Sequence, residues 1–349
     1  MYDVAVVKYK EALQSLKKAI DLVGGLQMKT IKRILVTVLL ALTMPSWAQA
    51  PPRIAWLWPG TMKGSATIRT AFMTGMHENG MIEGKHYVLD ERYAEGKYNR
   101  FPSLTEELLK PNPAIIMVNT IAAVQAAQKA TRTVSIVFVH INDPVGSGLV
   151  ASLARPGGNT TGLSTQNEDA VNKYVELLRE VLPRASRIAA LVNPTNPSHA
   201  KLFARVSASA GTFGIAARSF DVTSPDGLDA VFSEISQYHP DVLLGMPEAT
   251  FFDQRERICA LAVGRRIPAI FPQADFVASG CLMSFATSRR DMHRYSAIYV
   301  KKILNGAKPA DLPVEQPTKF ELAVNMKTAK AFGITIPQSV LMRADEVIQ

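Results

Sequence analysis

An internal repeat of short apolar runs is the feature of this chain that most constrains its fold. RIAWLWP at 53–59 returns as RIAALVNP at 187–194, PAIIM at 113–117 returns as PDVLL at 240–244, and SIVFVH at 135–140 corresponds to IPAIF at 267–271. The three pairs keep their order at an offset of about 130 residues. Apolar runs of this length, bounded by turn residues, are typical of strands buried on both faces of a parallel sheet.

Segments with helical periodicity lie between these apolar runs in both halves of the chain. The predicted helices span 65–79, 101–110, 198–212 and 228–239, and one further strand is predicted in each half, at 88–93 and 217–222. Each half therefore follows the order β-α-β-α-β-α-β, which predicts a parallel sheet covered by helices. The expected fold class is α/β, with two doubly wound parallel-sheet lobes.

The N-terminal region carries the pattern of an export signal at 28–50. Positive residues precede a short apolar core at 34–44, and Pro45 ends that core before Ala48 and Ala50. The core is too short to span a bilayer. We expect cleavage near Ala48 and a periplasmic mature protein; an uncleaved membrane anchor and a core helix are the alternatives. Residues 1–27 are interpreted as an over-extended or disordered start, with an amphipathic helix as the alternative.

The charge of the chain argues against a nucleic-acid partner. Residues 1–50 contain seven Lys/Arg and three Asp/Glu, so the net charge of +9 becomes +5 without them. No Lys/Arg cluster of the kind that neutralises many phosphates remains. About 300 residues are enough for two domains.

The cysteines and histidines predict no metal centre. Cys259 and Cys281 are the only cysteines, and we expect two buried thiols, because a disulfide demands strict geometry; a bridge between them is the alternative. None of the six histidines stands at metal-ligand spacing from a cysteine or another histidine.

Polar, small and turn-forming residues follow the predicted strands. Ligands of parallel sheets bind at the carboxyl ends of the strands, near the switch in strand order. Turn formation and helix capping are the structural alternative for each residue. The predicted ligand-binding residues are Pro59, Gly60, Thr61, Asn119, Thr120, Asp143, Asn193, Thr195, Pro247, Glu248, Gln273 and Asp275.

Catalytic signatures are missing from the sequence. The loop PGTMKGS after the first strand lacks G-x-G-x-x-G, its counterpart NPTNPS has no glycine, and neither G-x-x-x-x-G-K-[ST] nor G-x-S-x-G occurs. Asp143 and Glu248 would suit acid/base catalysis only if they lay close together, which the sequence does not establish. We expect a binding protein rather than an enzyme, without cofactor or catalytic residue.

The C-terminal third carries the most specific motifs. KILNGAKPADLPVEQPTKFEL at 302–322, NMKTAKAFGITIP at 325–337 and RADEVI at 343–348 resemble the periplasmic substrate-binding proteins of ABC transporters, in the branch often labelled tryptophan/tyrosine-type. AFMTGMHENGMIEGKHYVLDERYAEGKYNRFPSL and DPVGSGLVASLARPGGNTTGLS, earlier in the chain, agree with it. The resemblance covers about 53–349.

The resemblance implies a type I bilobal binding protein with three crossovers. Lobe one would comprise 53–163 and 286–313, and lobe two 164–285 and 314–349. The first crossover would lie at 160–164 and the second at 281–285. The family pattern GGLMSYG reads GCLMSFA at 280–286 here, which makes Phe285 a further candidate ligand contact and prevents copying a relative's ligand.

The implied mechanism is capture of a small organic solute, such as an amino acid, between closing lobes, with delivery to an inner-membrane ABC permease by a monomer. Helix starts near Ser65 and Thr120 suit a carboxylate. Asp143, Glu248 or Asp275 would take an ammonium, and Trp58, Phe251 or Phe285 an apolar group unless they are plain core. A sensor that acts on a receptor is the alternative. A cytoplasmic repressor's ligand domain is disfavoured, because no helix-turn-helix pattern precedes residue 53.

Overall fold

The computed structural model of the chain describes residues 10, 11, 13–18, 50–165, 167–316 and 319–349, with only the backbone for 167–170. The chain divides into two compact units, residues 1–50 and 51–349. In the first unit, residues 10, 11 and 13–18 are helical. The predicted export signal, apart from Ala50, lies outside the described residues. No helix among those described has the length and apolar character needed to cross a membrane.

The second unit contains two α/β lobes, each built on its own sheet. The first five strands are β1 (Arg53–Trp58), β2 (Val88–Tyr93), β3 (Ile115–Val118), β4 (Ser135–Asn142) and β5 (Thr160–Thr165). They form a parallel sheet in the order β2-β1-β3-β4-β5. The intervening helices are α1 (Met62–Glu78), α2 (Phe101–Leu109) and α3 (Ile121–Ala130).

The second lobe repeats this arrangement and extends it. Its strands are β6 (Arg187–Val192), β7 (Ala216–Asp221), β8 (Val242–Gly245), β9 (Ala269–Phe271), β10 (Met283–Thr287), β11 (Phe320–Asn325) and β12 (Glu346–Ile348). The order β7-β6-β8-β9-β10 matches that of the first sheet, and β11 and β12 follow at one edge. The repeat predicted from the apolar runs is therefore confirmed, apart from one antiparallel pair, β10 with β11.

Helices cover both sheets. The remaining ones are α4 (Asn167–Val181), α5 (His199–Gly211), α6 (Leu228–Tyr238), α7 (Ala249–Asp253), α8 (Arg255–Gly264), α9 (Ala274–Ala278), α10 (Arg289–Leu304), α11 (Met326–Phe332) and α12 (Gln338–Leu341). Helix α10 follows β10 of the second sheet but packs in the core of the first lobe, where Met292 and Tyr299 join Trp56 and Phe72. At Gly75 a Cβ would overlap the carbonyl oxygen of Arg294, so only glycine permits this approach of α1 and α10.

Three short passages connect the lobes. The first follows β5 and the second is Ser288, between β10 and α10. The third follows Glu315, which still pairs with Leu163 of the first sheet, and precedes β11. The segments expected to cross, 160–164 and 281–285, are thus largely sheet strands, and the chain crosses directly after them. The predicted bounds of the lobes stay a prediction.

The expectation of two free thiols is wrong, because Cys259 and Cys281 form a disulfide. Helix α8 packs beside α9 and the approach to β10, which brings the two Cα atoms to 5.0 Å, within the range that a disulfide requires. Both cysteines belong to one apolar cluster of the second lobe. The sequence does not reveal this contact, since 22 residues separate the two positions.

Candidate functional site

A cavity of about 720 Å³, counting the space at its open mouth, lies between the two lobes. It sits at the carboxyl ends of the strands on either side of the switch in strand order, where parallel sheets bind ligands. Its lining residues are Pro59, Tyr98, Asn119, Thr120, Ile121, His140, Ile141 and Asn142 from the first lobe, Asn196, Ser198, Leu202, Pro247, Glu248, Ala249 and Gln273 from the second, and Arg289 at the start of α10.

The lobes meet inside the cavity at the carboxylate of Glu248. The Tyr98 hydroxyl of the first lobe donates to it, at 3.0 Å from Oε1 and 3.2 Å from Oε2. Asn196 Nδ2 donates to Oε2 at 2.8 Å, and the backbone N–H of Ala249 lies 3.1 Å from Oε1. Burial and the neighbouring Glu248 charge raise the pKa of Tyr98 well above its ordinary value, so Tyr98 stays a hydrogen-bond donor. Glu248 therefore spans the lobes as a fully bonded carboxylate.

His199 supports this arrangement from beneath. Its Nδ1 accepts from the backbone N–H of Asn193 at 2.8 Å, and its Nε2 lies 3.1 Å from the carbonyl oxygen of Pro247, to which only a protonated nitrogen can donate. Burial lowers the pKa of His199, which favours the neutral ring that this pattern requires. The ring fixes the loop that carries Glu248.

Arg289 contributes a cation to the cavity. Its guanidinium lies over the Phe252 ring, 4.6 Å from the centroid. Within the described part of the chain, the guanidinium makes neither a hydrogen bond nor an ion pair. Burial lowers the pKa of Arg289, while Asp275 and Asp253 act in the opposite direction. The group remains charged and has unused N–H donors arranged to hold a carboxylate.

A helix N-terminus adds to this positive end of the cavity. Thr120 caps the ten-residue helix α3, accepting from the backbone N–H of Ala123. Thr120 and Ile121 both line the cavity. The partial positive charge at the start of α3 therefore acts in the same space as the guanidinium.

Two acceptors on the first-lobe wall lack partners. Asn119 Oδ1 and His140 Nε2 are buried and make no hydrogen bond to any residue that the structure describes, and both residues line the cavity. Buried polar atoms are nearly always paired. The wall thus offers two acceptors to a molecule that brings hydrogen-bond donors.

Three further contacts join the lobes around the cavity. The backbone N–H of Thr61 donates to Asp253 Oδ2 at 2.8 Å. Lys201 forms an ion pair with Asp143, and Arg290 forms one with Asp275 at 2.7 Å. These carboxylates all lie outside the cavity lining, and each already has a cationic or N–H partner.

The structure brings together about half of the residues predicted to bind ligand. Pro59, Asn119, Thr120, Pro247, Glu248 and Gln273 line the cavity. Asn193 and Thr195 form a turn in which Asn193 Oδ1 accepts from the Thr195 N–H and hydroxyl. The remaining predicted residues lie outside the lining, at the lobe contacts or in a smaller apolar pocket; they are Gly60, Thr61, Asp143, Asp275 and Phe285.

Of the three aromatic residues considered for an apolar contact, Trp58 and Phe251 are core, whereas Phe285 is partly buried and lines the smaller apolar pocket. Trp58 is 1% exposed, stacks on Trp56 and donates from Nε1 to Glu91. Phe251 is 1% exposed within the second lobe. Phe285 stacks on Phe320.

The predicted binding residues omit six polar residues of the cavity, which are Tyr98, His140, Asn142, Asn196, Ser198 and Arg289. His140 ends an apolar run and Asn196 lies in the loop after β6, so attention to every polar residue at those strand ends would have included both. Ser288 caps α10 as Thr120 caps α3, and Arg289 is the first residue of α10, directly after that cap. Tyr98 lies five residues beyond β2, and no sequence signal marks it.

The comparisons with known proteins agree with this architecture. The family model described as "ABC transporter substrate binding protein" matches residues 62–348. A "Tyrosine-binding protein" of Clostridioides difficile strain R20291 is 23% identical over 269 residues, which are 76% of each chain.

Two solved structures are similar over most of the chain. A conserved domain protein of Vibrio cholerae O1 biovar eltor is 27% identical, with a TM-score of 0.79, over 85% of this chain and 99% of its own. An ABC domain from Streptococcus pneumonia in complex with L-Trp is 24% identical, with a TM-score of 0.79, over 86% of this chain and all of its own. The family match spans most of the chain, which accordingly belongs to the ABC transporter substrate binding protein family.

Proposed function

We propose that the protein captures an amino acid in the interlobe cavity, outside the cytoplasm, and delivers it as a monomer to an inner-membrane ABC importer. The observation that carries the proposal is a cavity lined by Arg289, Asn119 and His140, in which the guanidinium, Asn119 Oδ1 and His140 Nε2 have no hydrogen-bond partner among the described residues. A zwitterion brings the carboxylate and the donors that these groups lack. A relative named for tyrosine binding and a structural neighbour holding L-Trp support the same ligand class.

Two further features support the proposed location. The disulfide between Cys259 and Cys281 belongs to a type of bond that persists in oxidising compartments such as the periplasm. The apolar core at 34–44 with its positive leader is typical of an export signal. Membership of the ABC transporter substrate binding protein family supports the proposed delivery to an importer.

A ligand screen on the purified full-length protein tests the binding step. Any amino acid that binds only the folded state raises the melting temperature. Each hit is then titrated by calorimetry against wild type and Arg289→Gln. Losing one or two hydrogen bonds to a charged group, at about 1.5–3 kcal/mol each, weakens binding by at least about tenfold.

Arg294→Gln is the matched control. Arg294 lies on the same helix, but it is exposed and pairs with Glu78 on the outer surface. We expect its affinity to equal that of wild type. Absence of stabilisation by every amino acid, or equal affinity of Arg289→Gln and wild type, refutes the binding proposal.

Uptake measurements test delivery separately. A strain that lacks the gene should lose high-affinity uptake of the labelled amino acid, and the wild-type gene should restore it while Arg289→Gln does not. Normal uptake without the gene contradicts delivery but leaves the binding step standing.

A further inference from the structure

The carboxylates near the cavity are poorly placed to bind an amino group, because each already has a partner. Glu248 accepts three hydrogen bonds inside the cavity. Asp253 accepts from a backbone N–H, while Asp143 and Asp275 are in ion pairs outside the lining. An ammonium group of a ligand would have to displace one of these interactions. The carboxylates that the sequence predicts as partners of the ammonium group are therefore poor candidates for that role.

A buried histidine sets the orientation of the unpaired amide instead. His293 is fully buried, and its Nδ1 lies 2.8 Å from the carbonyl oxygen of Arg289, which only an N–H can satisfy. Burial lowers the pKa of His293 well below its ordinary value, so the ring is neutral and its Nε2 is an acceptor. Asn119 Nδ2, at 3.5 Å, is the donor that faces it. This leaves Asn119 Oδ1 as the free end of the amide.

Aromatic packing holds the histidine ring in place. The Trp56 and Trp58 rings lie 5.9 and 6.3 Å from it, each inclined by 16°. Both tryptophans are part of the first-lobe core. The Asn119 amide is therefore fixed by the rigid interior of the lobe rather than by a mobile surface group.

His140 supplies the second acceptor. Burial, with a smaller effect of Arg289, lowers the pKa of His140 to about 3. A hydrogen bond to the residue's own backbone acts in the opposite direction, as expected when a ring N–H donates to a carbonyl oxygen. The unpaired nitrogen is Nε2, which in this neutral ring carries a lone pair. Its backbone has φ of 66°, an uncommon value for a residue with a side chain.

We propose that Asn119 Oδ1 and His140 Nε2 recognise the amino group of the ligand, and that His293 is a positioning residue that keeps the Asn119 oxygen turned towards it. The inference rests on the proposed binding of amino acids and names how the same cavity recognises them. Two neutral acceptors suit an ammonium group, which has three N–H donors. They disfavour a second carboxylate at this position, because lone pairs would face an anion.

The test compares one ligand pair on the purified full-length protein. The pair is the tightest amino acid from the screen and its desamino analogue, which keeps the carboxylate and side chain but lacks the amino group. Wild type should bind the amino acid about 10- to 100-fold more tightly, since losing the amino group leaves two buried acceptors unpaired. Equal affinity for both ligands overturns the inference while amino-acid binding stands; absence of amino-acid binding overturns both.

Variants separate the roles within the group. Asn119→Leu removes the acceptor and should reduce the affinity ratio to within a few-fold of one. His293→Phe should also lower the ratio, and His293→Gln, which restores an acceptor, should recover part of it. His77→Phe, at an exposed position, is the control for the substitution itself. Melting curves identify any variant that fails to fold, and an unchanged ratio in folded Asn119→Leu refutes the assignment.

Discussion

The contact between Asp253 and the start of α1 makes a sharp prediction for Gly64. The Asp253 carboxylate reaches across the lobes to the N–H of Thr61 and lies against Gly64, the third residue of α1. A Cβ at Gly64 would overlap Asp253 Oδ1 and come within 2.5 Å of Cγ. Gly64→Ala therefore cannot coexist with this contact, and the carboxylate must leave the start of the helix.

The expected magnitude follows from the interactions that are lost. A hydrogen bond to a charged group contributes about 1.5–3 kcal/mol, and a carboxylate at a helix N-terminus contributes about 0.3–1 kcal/mol. Rehydration of the largely buried carboxylate, whose pKa is raised by burial, offsets part of this. A net loss of about 2 kcal/mol lowers the ratio of closed to open protein about 30-fold and weakens ligand binding by up to that factor.

The same substitution should stabilise the helix. Replacing glycine by alanine inside a helix contributes up to about 1 kcal/mol. The ligand-free melting temperature should therefore stay level or rise while affinity falls. Because a variant that merely folds poorly would lower both the melting temperature and the affinity, this combination distinguishes loss of closure from loss of folding.

Calorimetric affinities and the radius of gyration from solution scattering measure the effect. Gly211→Ala is the control, because Gly211 also lies in a helix but a Cβ there meets nothing within 4 Å. In an Asp253→Ala background, Gly64→Ala should no longer change the affinity. Wild-type affinity in Gly64→Ala, or an undiminished effect in that background, refutes the reasoning.

Three further predictions concern the lobes and their contacts. Replacing Cys259 and Cys281 by alanine should lower the free energy of unfolding by about 3 kcal/mol, since the disulfide closes a loop of 22 residues; denaturant titration decides, and an unchanged midpoint contradicts it. Tyr98→Phe should weaken ligand affinity about 5- to 30-fold, because the buried Glu248 loses a hydrogen bond between lobes, and calorimetry measures this. Lys201 lowers the pKa of Asp143 below 3.8, so the contribution of this ion pair to closure is present above that pH and is lost as the pH falls through the lowered pKa. Solution scattering should therefore show a smaller expansion at acid pH in Lys201→Met than in wild type. Equal expansion of the two proteins contradicts the prediction.

The fold was predictable from the sequence because it depends on local patterns that repeat. RIAWLW and RIAALV are buried along nearly their whole length, as strands between two helical layers must be. The order of strands and helices in each half followed from such apolar runs together with the helical periodicity between them. The antiparallel β11 was not predicted, since strand direction at a sheet edge depends on where the third passage returns.

The site was predictable only in part, because its chemistry depends on which groups meet across the lobes. The strand ends indicated Asn119, Thr120 and Glu248, which the structure places in the cavity lining, and their contact with a ligand stays a prediction. The sequence shows that a carboxylate is present but not that Lys201 neutralises Asp143 or that Tyr98 reaches Glu248. Those pairings decide which groups remain free for a ligand, and they arise from tertiary contacts 58 and 150 residues apart in the chain.

Arg289 lies one residue beyond Ser288, the second passage between the lobes. Groups beside a pivot travel least when the bodies on either side rotate. In the proposed cycle this guanidinium presents almost the same geometry to a solute before and after closure. It then supplies affinity equally in both states and does not select between them. Groups far from the pivot therefore determine the preference for the closed state, and the protein can bind its solute before the lobes close around it.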